Sequence, residues 1–398
     1  MVKNVAFGKR RDYFFHMSDS GTEVGVSVGR QSGAARDHSG ERAELIELVD
    51  DAVGRGAASA AAVMVSVDGR VVAEHAVGRV REWDSPVVPA ERLRTAVDAD
   101  TRFDLASVTK PIVAAALLAE LDARGLGPDL RVADVLEEFR EPSLGDVTVR
   151  HLLTHTAGFA AEWFDRDPDS EGRRFRAGAR PAASVDVRHE YSCVGFIWAG
   201  FVAEALAGRP LDKVVRDRVL EPLGMTQTGY RPAAELRPVI AATEFQPGRG
   251  VVHGEVHDET AWALGGVSGN AGLFGTARDL LRFAEALRCG GRLGGRFSGH
   301  QVLAPAVVEA LVTPVGILDV SGYRQALGVR VDEAWMRGLG PGAVGHTGFT
   351  GTGFATVPGG RRSVVFLTNR VHPTRSSTEI LSLRERVVDA AARLGGRR

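Results

Sequence analysis

Ser107 and Lys110 have the residue types and the spacing of a reactive pair, in the stretch FDLASVTKPIV. Residues three positions apart on a helix share a face, so the hydroxyl and the amine can touch. An amine that accepts the hydroxyl proton, or holds the alkoxide as an ammonium, makes serine a nucleophile. A serine at a helix N-terminus also lies at the positive end of the helix dipole, which favours the alkoxide. We interpret the pair as a nucleophilic site; the alternative for Ser107 is a helix N-cap.

Lysine is rare in this chain, which makes position 110 unusual. The sequence has four lysines, Lys3, Lys9, Lys110 and Lys213, and apart from histidines every other basic side chain is an arginine. Arginine keeps its proton at any accessible pH, whereas lysine can lose it in a suitable environment. We expect that the site needs Lys110 as an amine that exchanges a proton. The alternative is a chance lysine on a helix surface.

Two later stretches supply context, because an S-x-x-K pattern alone recurs by chance. RHEYSCVGF places Tyr191 two residues before Cys193, and GAVGHTGFTGTGF contains His346. Considered singly, each of these residues can be explained by a purely structural role. Tyr191 would be a buried aromatic residue with a satisfied hydroxyl, and His346 would be a loop histidine.

Together the three stretches resemble the motifs of the serine β-lactamase-like superfamily, in its class C β-lactamase and family VIII esterase branch. Ser107 to Lys110 matches S-x-x-K, Tyr191-Ser192-Cys193 matches the Y-x-N element, and His346-Thr347-Gly348 matches K-T-G. Further stretches in family order, among them VTVRHLLTHTAGF, EPLGMTQT and FLTNRVHP, extend the resemblance over roughly residues 45–395. Three motifs in this order are far more specific than any one of them.

The resemblance implies catalytic roles for Ser107, Lys110 and Tyr191. Ser107 would form an acyl-enzyme, Lys110 would activate it and move protons, and Tyr191 would be the base in acylation and the acid toward the leaving group. The oxyanion hole would use the backbone N–H groups of Ser107 and Phe349. Because an isolated tyrosine loses its proton only near pH 10, Tyr191 needs a cation beside it, which Lys110 can supply.

Two positions depart from the family pattern. Cys193 replaces the usual Asn, so a weak thiol donor stands where an amide offers two donors and a carbonyl. His346 replaces the usual lysine, and an ordinary histidine with a pKa of about 6.5 is mostly neutral at pH 7. With Thr347 and Gly348, these are the residues that the resemblance implies for substrate binding. Both changes weaken the expectation of a β-lactam or D-Ala-D-Ala substrate, and a role for Cys193 as a second nucleophile has no identifiable base.

The composition is that of an ordinary globular protein and does not indicate one that binds nucleic acid or membranes. The 398 residues have a formal net charge of -1, and 44% of them are apolar. A net charge this small gives no overall electrostatic attraction to nucleic acid or anionic lipid. The sequence contains no run of about eighteen apolar residues, so we expect no membrane-spanning helix. The stretch MVKNVAFGKRRDYFFHMSDSG has no apolar segment typical of a secretory signal, so we expect a cytoplasmic protein.

No motif indicates a cofactor or a metal. Cys193 and Cys289 have no metal-ligand or redox spacing, and a disulfide between them stays open. The stretch HGEVHDE, residues 253–259, contains potential ligands, but it matches an ordinary segment of the resembled family that is not a zinc site there. No phosphate-binding glycine loop follows a predicted strand. We therefore expect neither a cofactor nor a metal.

The elements that must position these residues are strands at both chain ends and helices between them. AAVMVSVDGRVVAEHAVG predicts a hairpin around Asp68-Gly69, and GTGFATVPGGRRSVVFLTNRV predicts two strands around Pro358-Gly359-Gly360. Helical spacing follows Ser107 and recurs over 195–208, 276–291 and 382–394. We predict an α/β (α+β) fold: an antiparallel sheet flanked by helices and built from both chain ends, with an inserted, mainly helical domain. This is the β-lactamase and penicillin-binding-protein transpeptidase architecture that the resemblance implies.

The domain boundaries follow from composition and from the resemblance. Residues 1–40 are rich in Gly, Ser, Asp and Arg without periodicity, so we expect a poorly ordered N-terminal extension. Residues 41–398 would form the catalytic domain. Its α/β part would span about 41–110 and 262–398, and its helical part about 111–261.

These observations predict a serine acyltransferase or esterase for a small carboxylic ester or thioester, with an ATP-independent biosynthetic transacylase as one form of it. Attack of water on the acyl-serine gives an esterase, whereas attack of an amine or alcohol gives a transacylase. The alternatives are a simple carboxylesterase, a β-lactamase or D,D-peptidase, and a non-catalytic binding protein on this scaffold. The expected partners are a small-molecule acyl donor and, for transfer, an amine or alcohol acceptor; the oligomeric state is open.

Overall fold

The structure is a computed structural model that describes residues 39–92, 95–141, 144–163, 167–293, 299–316 and 322–396. Residues 1–38 of the predicted N-terminal extension lie outside this range, whereas residues 39 and 40 already belong to the first helix. The division of residues 41–398 into an α/β part and a helical part stays a prediction.

The described residues contain strands near both chain ends and a run of helices between them. The helices are α1 Ser39–Gly54, α2 Thr109–Asp122, α3 Val149–Leu153, α4 Arg173–Gly178, α5 Cys193–Ala207, α6 Leu211–Val215, α7 Glu221–Leu223, α8 Glu259–Ala263, α9 Ala277–Arg288, α10 Pro305–Val312 and α11 Ile380–Arg393. The strands are β1 Ala60–Val67, β2 Arg70–Gly78, β3 Trp83–Ser85, β4 Val88–Pro89, β5 Phe103–Asp104, β6 Gly229–Tyr230, β7 Phe245–Gln246, β8 Gly250–Val251, β9 Leu273–Gly275, β10 Arg324–Gln325, β11 Arg330–Val331, β12 Val344–Thr347, β13 Gly353–Thr356 and β14 Arg362–Thr368.

The main sheet joins the two ends of the chain. Its seven strands lie in the order β10-β11-β12-β13-β14-β1-β2, and every neighbouring pair is antiparallel. In the central pair, Ala61 of β1 lies opposite Thr368 of β14 and Val67 lies opposite Arg362. The predicted antiparallel sheet built from both chain ends is therefore confirmed.

The predicted hairpin between β1 and β2 is also confirmed. Asp68 and Gly69 have φ angles of 51° and 75° at the turn. A two-residue hairpin turn of this kind needs positive φ at both positions, which Gly adopts freely and Asp tolerates. The sequence signal and the backbone conformation thus agree.

Strand β1 shows why helices must cover both faces of the sheet. All eight of its residues are buried. Ala62 and Met64 belong to the hydrophobic cluster that includes α2, α5 and α9, whereas Ala61, Val63 and Val65 belong to the cluster that includes α1 and α11. Successive side chains of a strand point to opposite faces, so the continuous apolar run AAAVMVSV fits a strand covered on both sides.

Helix α2, which carries Lys110 and begins just after Ser107, lies inside the larger hydrophobic cluster. Residues 112–118 are buried, and the helix packs against α5 and α10. A helix that is apolar all round is typical of a buried one. Pro111 lies in the first turn, where a backbone N–H has no partner within the helix, so the proline does not break it.

A helix that spans a membrane needs about twenty consecutive, mostly apolar residues. Within the described ranges, no single helix is long and apolar enough to cross a membrane. One bent pair, Cys193–Ala207 with Leu211–Leu223, meets the criteria jointly, with an angle of 79° between its helices. Most of the first helix of this pair is buried in the protein core.

Candidate active site

The structure brings Ser107 and Lys110 into contact, as the spacing predicts. Lys110 Nζ donates to Ser107 Oγ at 2.9 Å and to the backbone oxygen of Asn270 at 3.1 Å, and it lies 3.4 Å from Cys193 Sγ. The lysine side chain is completely buried. Three contacts match the three donors of an ammonium group. The alternative of a chance lysine on a helix surface is therefore wrong.

Ser107 does not cap a helix. It lies in the short 3-10 turn Ala106–Val108, immediately before α2. The N-cap positions of this turn and of α2 are Leu105 and Val108, and neither helix start has a side-chain cap. The hydroxyl of Ser107 is instead directed to Lys110, which fits a nucleophile better than a capping residue.

The backbone just before Ser107 has a strained conformation that its surroundings hold in place. Ala106 has a φ angle of 46°, in the left-handed region that non-glycine residues rarely adopt. The Asp104 side chain accepts from the backbone N–H of Ala106 at 2.8 Å and of His257 at 2.7 Å. Thr352 Oγ1 donates to the backbone oxygen of Leu105 at 3.0 Å. Strain of this kind persists at functional sites when neighbouring groups fix it.

Gly348 of the third motif lies against this turn. A Cβ atom at position 348 would stand 2.5 Å from the backbone oxygen of Leu105 and would also clash with the Thr352 hydroxyl. Only glycine permits such a close approach of the two backbones. His346 and Thr347 lie on β12 itself. The end of β12 thereby reaches the nucleophile.

Tyr191 stands beside two cations. Its ring centroid is 5.0 Å from Lys110 Nζ and 4.8 Å from Arg330 Cζ. Its ring also contacts the rings of His155 and His346, with centroids 4.6 Å and 6.0 Å away. The motifs indicate the lysine but not Arg330, because no motif includes this arginine and charged residues are mostly exposed.

The protonation of Lys110 depends on its buried neighbours. Burial lowers the pKa of Lys110, but attraction to an ionised Cys193 or Tyr191 raises it, and the balance leaves the pKa above its usual value. Burial raises the pKa of the Cys193 thiol, although the Lys110 charge acts the other way. The site therefore favours Lys110 as an ammonium at rest.

His346 supplies no positive charge. It is buried, and its Nδ1–H donates to the backbone oxygen of Thr347 at 2.8 Å. Burial, together with the charges of Arg330 and Lys110, lowers the pKa of His346 well below its usual range. A neutral ring at this position agrees with the weakened carboxylate recognition that the sequence predicts.

A cleft of about 170 Å³ opens over the nucleophile. Of the predicted residues, Ser107, Tyr191, Cys193 and Phe349 contribute to its described lining, and Lys110 lies behind them. The opposite walls include Glu162, Trp163, His257, Glu259 and Arg375. His346, Thr347 and Gly348 do not belong to the described lining, so their role in substrate binding stays a prediction.

Phe349 is the exposed edge of this cleft. Its side chain is 46% exposed. Arg370 Cζ lies 4.4 Å and Arg375 Cζ 5.4 Å from its ring centroid, and the His257 ring stacks on it at 5.6 Å. The oxyanion-hole role of the Phe349 and Ser107 N–H groups stays a prediction. Arg375 is a further cleft residue that no motif indicated.

The histidines of the 253–259 stretch have partners other than a metal. His253 Nε2 donates to the backbone oxygen of Ile240 at 2.8 Å, and His257 Nε2 lies 2.9 Å from Glu244 Oε2. Across the parts of the chain that the structure describes, no cluster of three His, Cys, Asp or Glu side chains could hold a metal ion. Cys193 and Cys289 are both free thiols, so they form no disulfide.

The chain is similar to known proteins over most of its length. A family model described as Beta-lactamase matches residues 45–388. A relative named putative D-alanyl-D-alanine carboxypeptidase, from Escherichia coli strain K12, is 28% identical over 345 residues, which cover 78% of each chain.

Solved structures show the same fold. EstCE1, described as a hydrolase with promiscuous acyltransferase activity, is similar with a TM-score of 0.66 and 23% identity, over 88% of this chain and 99% of that one. A class C beta-lactamase is similar with a TM-score of 0.72 and 19% identity, over 92% and 99%. Likenesses at such low identity establish the fold alone, whereas the family model spans most of the chain. The protein therefore belongs to the beta-lactamase family, within the serine β-lactamase-like superfamily of hydrolases and acyltransferases.

Proposed function

We propose that the protein forms an acyl-enzyme at Ser107 and transfers or hydrolyses the acyl group of a small carboxylic ester or thioester. The observation that carries the proposal is the contact of 2.9 Å between Lys110 Nζ and Ser107 Oγ, at the base of a cleft that Tyr191 also lines. A nucleophile, a proton-exchanging amine and a second acid–base group within reach are what covalent acyl transfer needs.

In the proposed reaction, Ser107 Oγ attacks the acyl carbonyl carbon, and its proton passes through the amine of Lys110 to the oxygen of Tyr191. The negative oxygen of the tetrahedral intermediate is stabilised by the N–H groups of Ser107 and Phe349. The proton then goes to the departing alcohol or thiol as its bond to carbon breaks. An acceptor attacks acyl-Ser107 by the reverse sequence and releases the product.

We favour an ATP-independent transacylase, with a simple carboxylesterase as the second candidate. A cleft of about 170 Å³ has room for a small acyl chain beside Ser107. The similarity to EstCE1, a hydrolase with promiscuous acyltransferase activity, supports both activities on this scaffold. A non-catalytic binding protein would have no use for a buried lysine hydrogen-bonded to a serine.

Partition of the acyl group between water and an added amine tests this choice. Wild-type protein is incubated with aryl and thioester donors, with and without millimolar primary amine or alcohol, and both free acid and new amide or ester are quantified. We expect the amine to take most of the acyl group. Release of free acid alone, at a rate independent of every acceptor, would identify a carboxylesterase.

Hydrolysis of a chromogenic cephalosporin should be poor. The positive charge that would attract the β-lactam carboxylate is absent from position 346, where the buried histidine is neutral. Acidification from pH 8 to pH 6 should not improve turnover either, because His346 has a depressed pKa and stays uncharged through this range. Initial rates over this pH range check the expectation, and rapid hydrolysis would instead favour a β-lactamase or D,D-peptidase.

A further inference from the structure

A second cavity adjoins the cleft over Ser107. It has a volume of about 510 Å³, three times that of the cleft, and Glu259 and Arg375 line both spaces. These two residues form an ion pair at 2.8 Å, and the side chain of Arg375 is 43% exposed. The pair is therefore a wall that the two spaces share, and a bound molecule can lie along its exposed side from one space into the other.

The small size of the cleft makes the second cavity relevant to the substrate. Small-molecule sites in proteins usually have volumes of about 300–1,000 Å³. The cleft alone, at about 170 Å³, is below this range, whereas the cleft and the second cavity together lie within it. A substrate whose carbonyl carbon lies at Ser107 can thus bury a second group in the adjoining cavity.

The proposed chemistry decides which part of the substrate reaches this cavity. The leaving group must lie beside Tyr191, because the tyrosine returns the proton to it. The ring neighbours of Tyr191 include His155 and His346, and neither belongs to the described lining of the second cavity. Arg375 instead lies 5.4 Å from the ring of Phe349, on the opposite wall of the cleft. The acyl chain, which leaves the carbonyl carbon away from the leaving group, therefore points toward Arg375 and the second cavity.

The charged side chains of the second cavity already neutralise one another. Its described lining contains two arginines and two glutamates. Arg375 pairs with Glu244 at 2.7 Å and with Glu259 at 2.8 Å. Arg249 lies 3.5 Å from Glu255 and donates to the backbone oxygen of the next residue, Val256, at 2.8 Å. The described lining thus favours an uncharged group over an ionised one.

Two aromatic rings and a proline also line this cavity. Phe245 lies on β7 and Trp262 on α8, and Pro247 follows β7. Both rings are half-buried, and the guanidinium of Arg249 lies 4.8 Å from the Trp262 ring and supports it. Aromatic side chains make favourable stacked or edge-to-face contacts with other rings. An uncharged aromatic ring therefore fits this surface.

We propose that the second cavity binds the distal end of the acyl group, and that this end is an uncharged aromatic ring joined to the carbonyl by a short chain. The inference rests on the proposed function and names its substrate class, an arylalkanoyl ester or thioester. With a thioester, Ser107 Oγ bonds to the carbonyl carbon, the carbon–sulfur bond breaks, and the serine proton leaves on the thiol. The ring stays beside Trp262 until an acceptor attacks the acyl-enzyme.

Acylation by thioesters with one common leaving group tests the proposal on the wild-type protein. N-acetylcysteamine thioesters of acetate, octanoate, 4-phenylbutanoate and 4-(4-carboxyphenyl)butanoate are compared by kcat/KM for thiol release. We expect 4-phenylbutanoyl to exceed acetyl by about 30- to 100-fold, as burial of a phenyl ring allows. Octanoyl should gain less, and the carboxylated ring should lose most of the gain. Equal values for acetyl and 4-phenylbutanoyl would overturn the proposal, as would a larger gain with octanoyl or with the carboxylated ring.

Matched substitutions locate the ring. Trp262→Ala should lower the preference for 4-phenylbutanoyl over acetyl by about tenfold, and Trp262→Phe, which keeps a ring, should retain most of it. Phe201→Ala is the control, because this half-buried ring on α5 also has an arginine beside it, with Arg176 Cζ at 3.9 Å. Phe201 belongs to the described lining of neither space, so its variant should keep the wild-type preference. An undiminished preference in Trp262→Ala would contradict the assignment, and if that variant does not fold, the wild-type series decides.

Binding without turnover separates this inference from the proposed function. In Ser107→Ala, the unreactive amide N-methyl-4-(4-nitrophenyl)butanamide should quench tryptophan fluorescence, and the share of quenching that Trp262→Phe removes reports contact at position 262. Quenching at Trp262 without acylation of the wild type by any donor would sink the proposed function alone. Acylation of Ser107 by every donor without quenching at Trp262 would sink the present inference alone.

Discussion

Lys110→Arg is expected to keep the fold and to lower the rate of Ser107 acylation by at least about 1,000-fold. Lysine at this position can pass a proton between the serine hydroxyl and the tyrosine oxygen, whereas arginine cannot release one. The site is also shaped for an ammonium, with acceptors at 2.9 and 3.1 Å in a completely buried pocket. A planar guanidinium cannot occupy the position of the ammonium group without displacing these acceptors.

Lys213→Arg provides the matched control for this substitution. Lys213 is half exposed and pairs with Asp212 on α6, so the same exchange should change neither activity nor melting temperature measurably. Rates are measured as the burst of leaving group from an aryl ester, with near-ultraviolet circular dichroism to check the fold. A folded Lys110→Arg protein with near wild-type rate would show that Lys110 acts as a fixed cation alone.

Tyr191→Phe is expected to lower acylation by about 100- to 10,000-fold, the usual contribution of a positioned acid–base group. The ring would keep its contacts with His155 and with the two cations, so packing should be little changed. The loss should depend on the leaving group. An aryl oxide departs without a proton, so aryl esters should suffer less than alkyl esters, which need the tyrosine as an acid.

The comparison with Tyr230→Phe separates this role from a general effect of losing a hydroxyl. Tyr230 donates to the backbone oxygen of Ser268 at 2.9 Å and does not belong to the described lining of the cleft. Its variant should retain activity within a few-fold and show no dependence on the leaving group. Equal losses for aryl and alkyl esters in Tyr191→Phe would contradict the assigned role.

Local sequence signals predicted the parts of the fold that depend on neighbours in the chain. The Asp68-Gly69 turn, the helix after Ser107 and the helix predicted over 276–291 each follow from a few adjacent residues. The S-x-x-K spacing likewise places Lys110 beside Ser107. These features need no knowledge of the rest of the chain, because helix and turn geometry set them.

Long-range contacts account for what the sequence did not predict. Nothing in the sequence around Arg330 distinguishes it from a surface arginine. In the structure it lies on the two-residue strand β11, which pairs with β12, and it is buried beside Tyr191. The Asp104 side chain accepts from the backbone N–H groups of the strained Ala106 and of His257, and no motif connects these residues. The cleft walls come from several distant loops. Such pairings depend on tertiary packing, which overrides local preference.

The most direct test of the account is the intact mass of the protein after brief exposure to an aryl or thioester acyl donor, with Ser107→Ala treated in parallel. We expect a gain of one acyl group on wild type only, and peptide mapping should place it on Ser107. An adduct that persists in Ser107→Ala and maps to Cys193 would contradict the account. So would the failure of every donor, and of a fluorophosphonate, to modify the wild type.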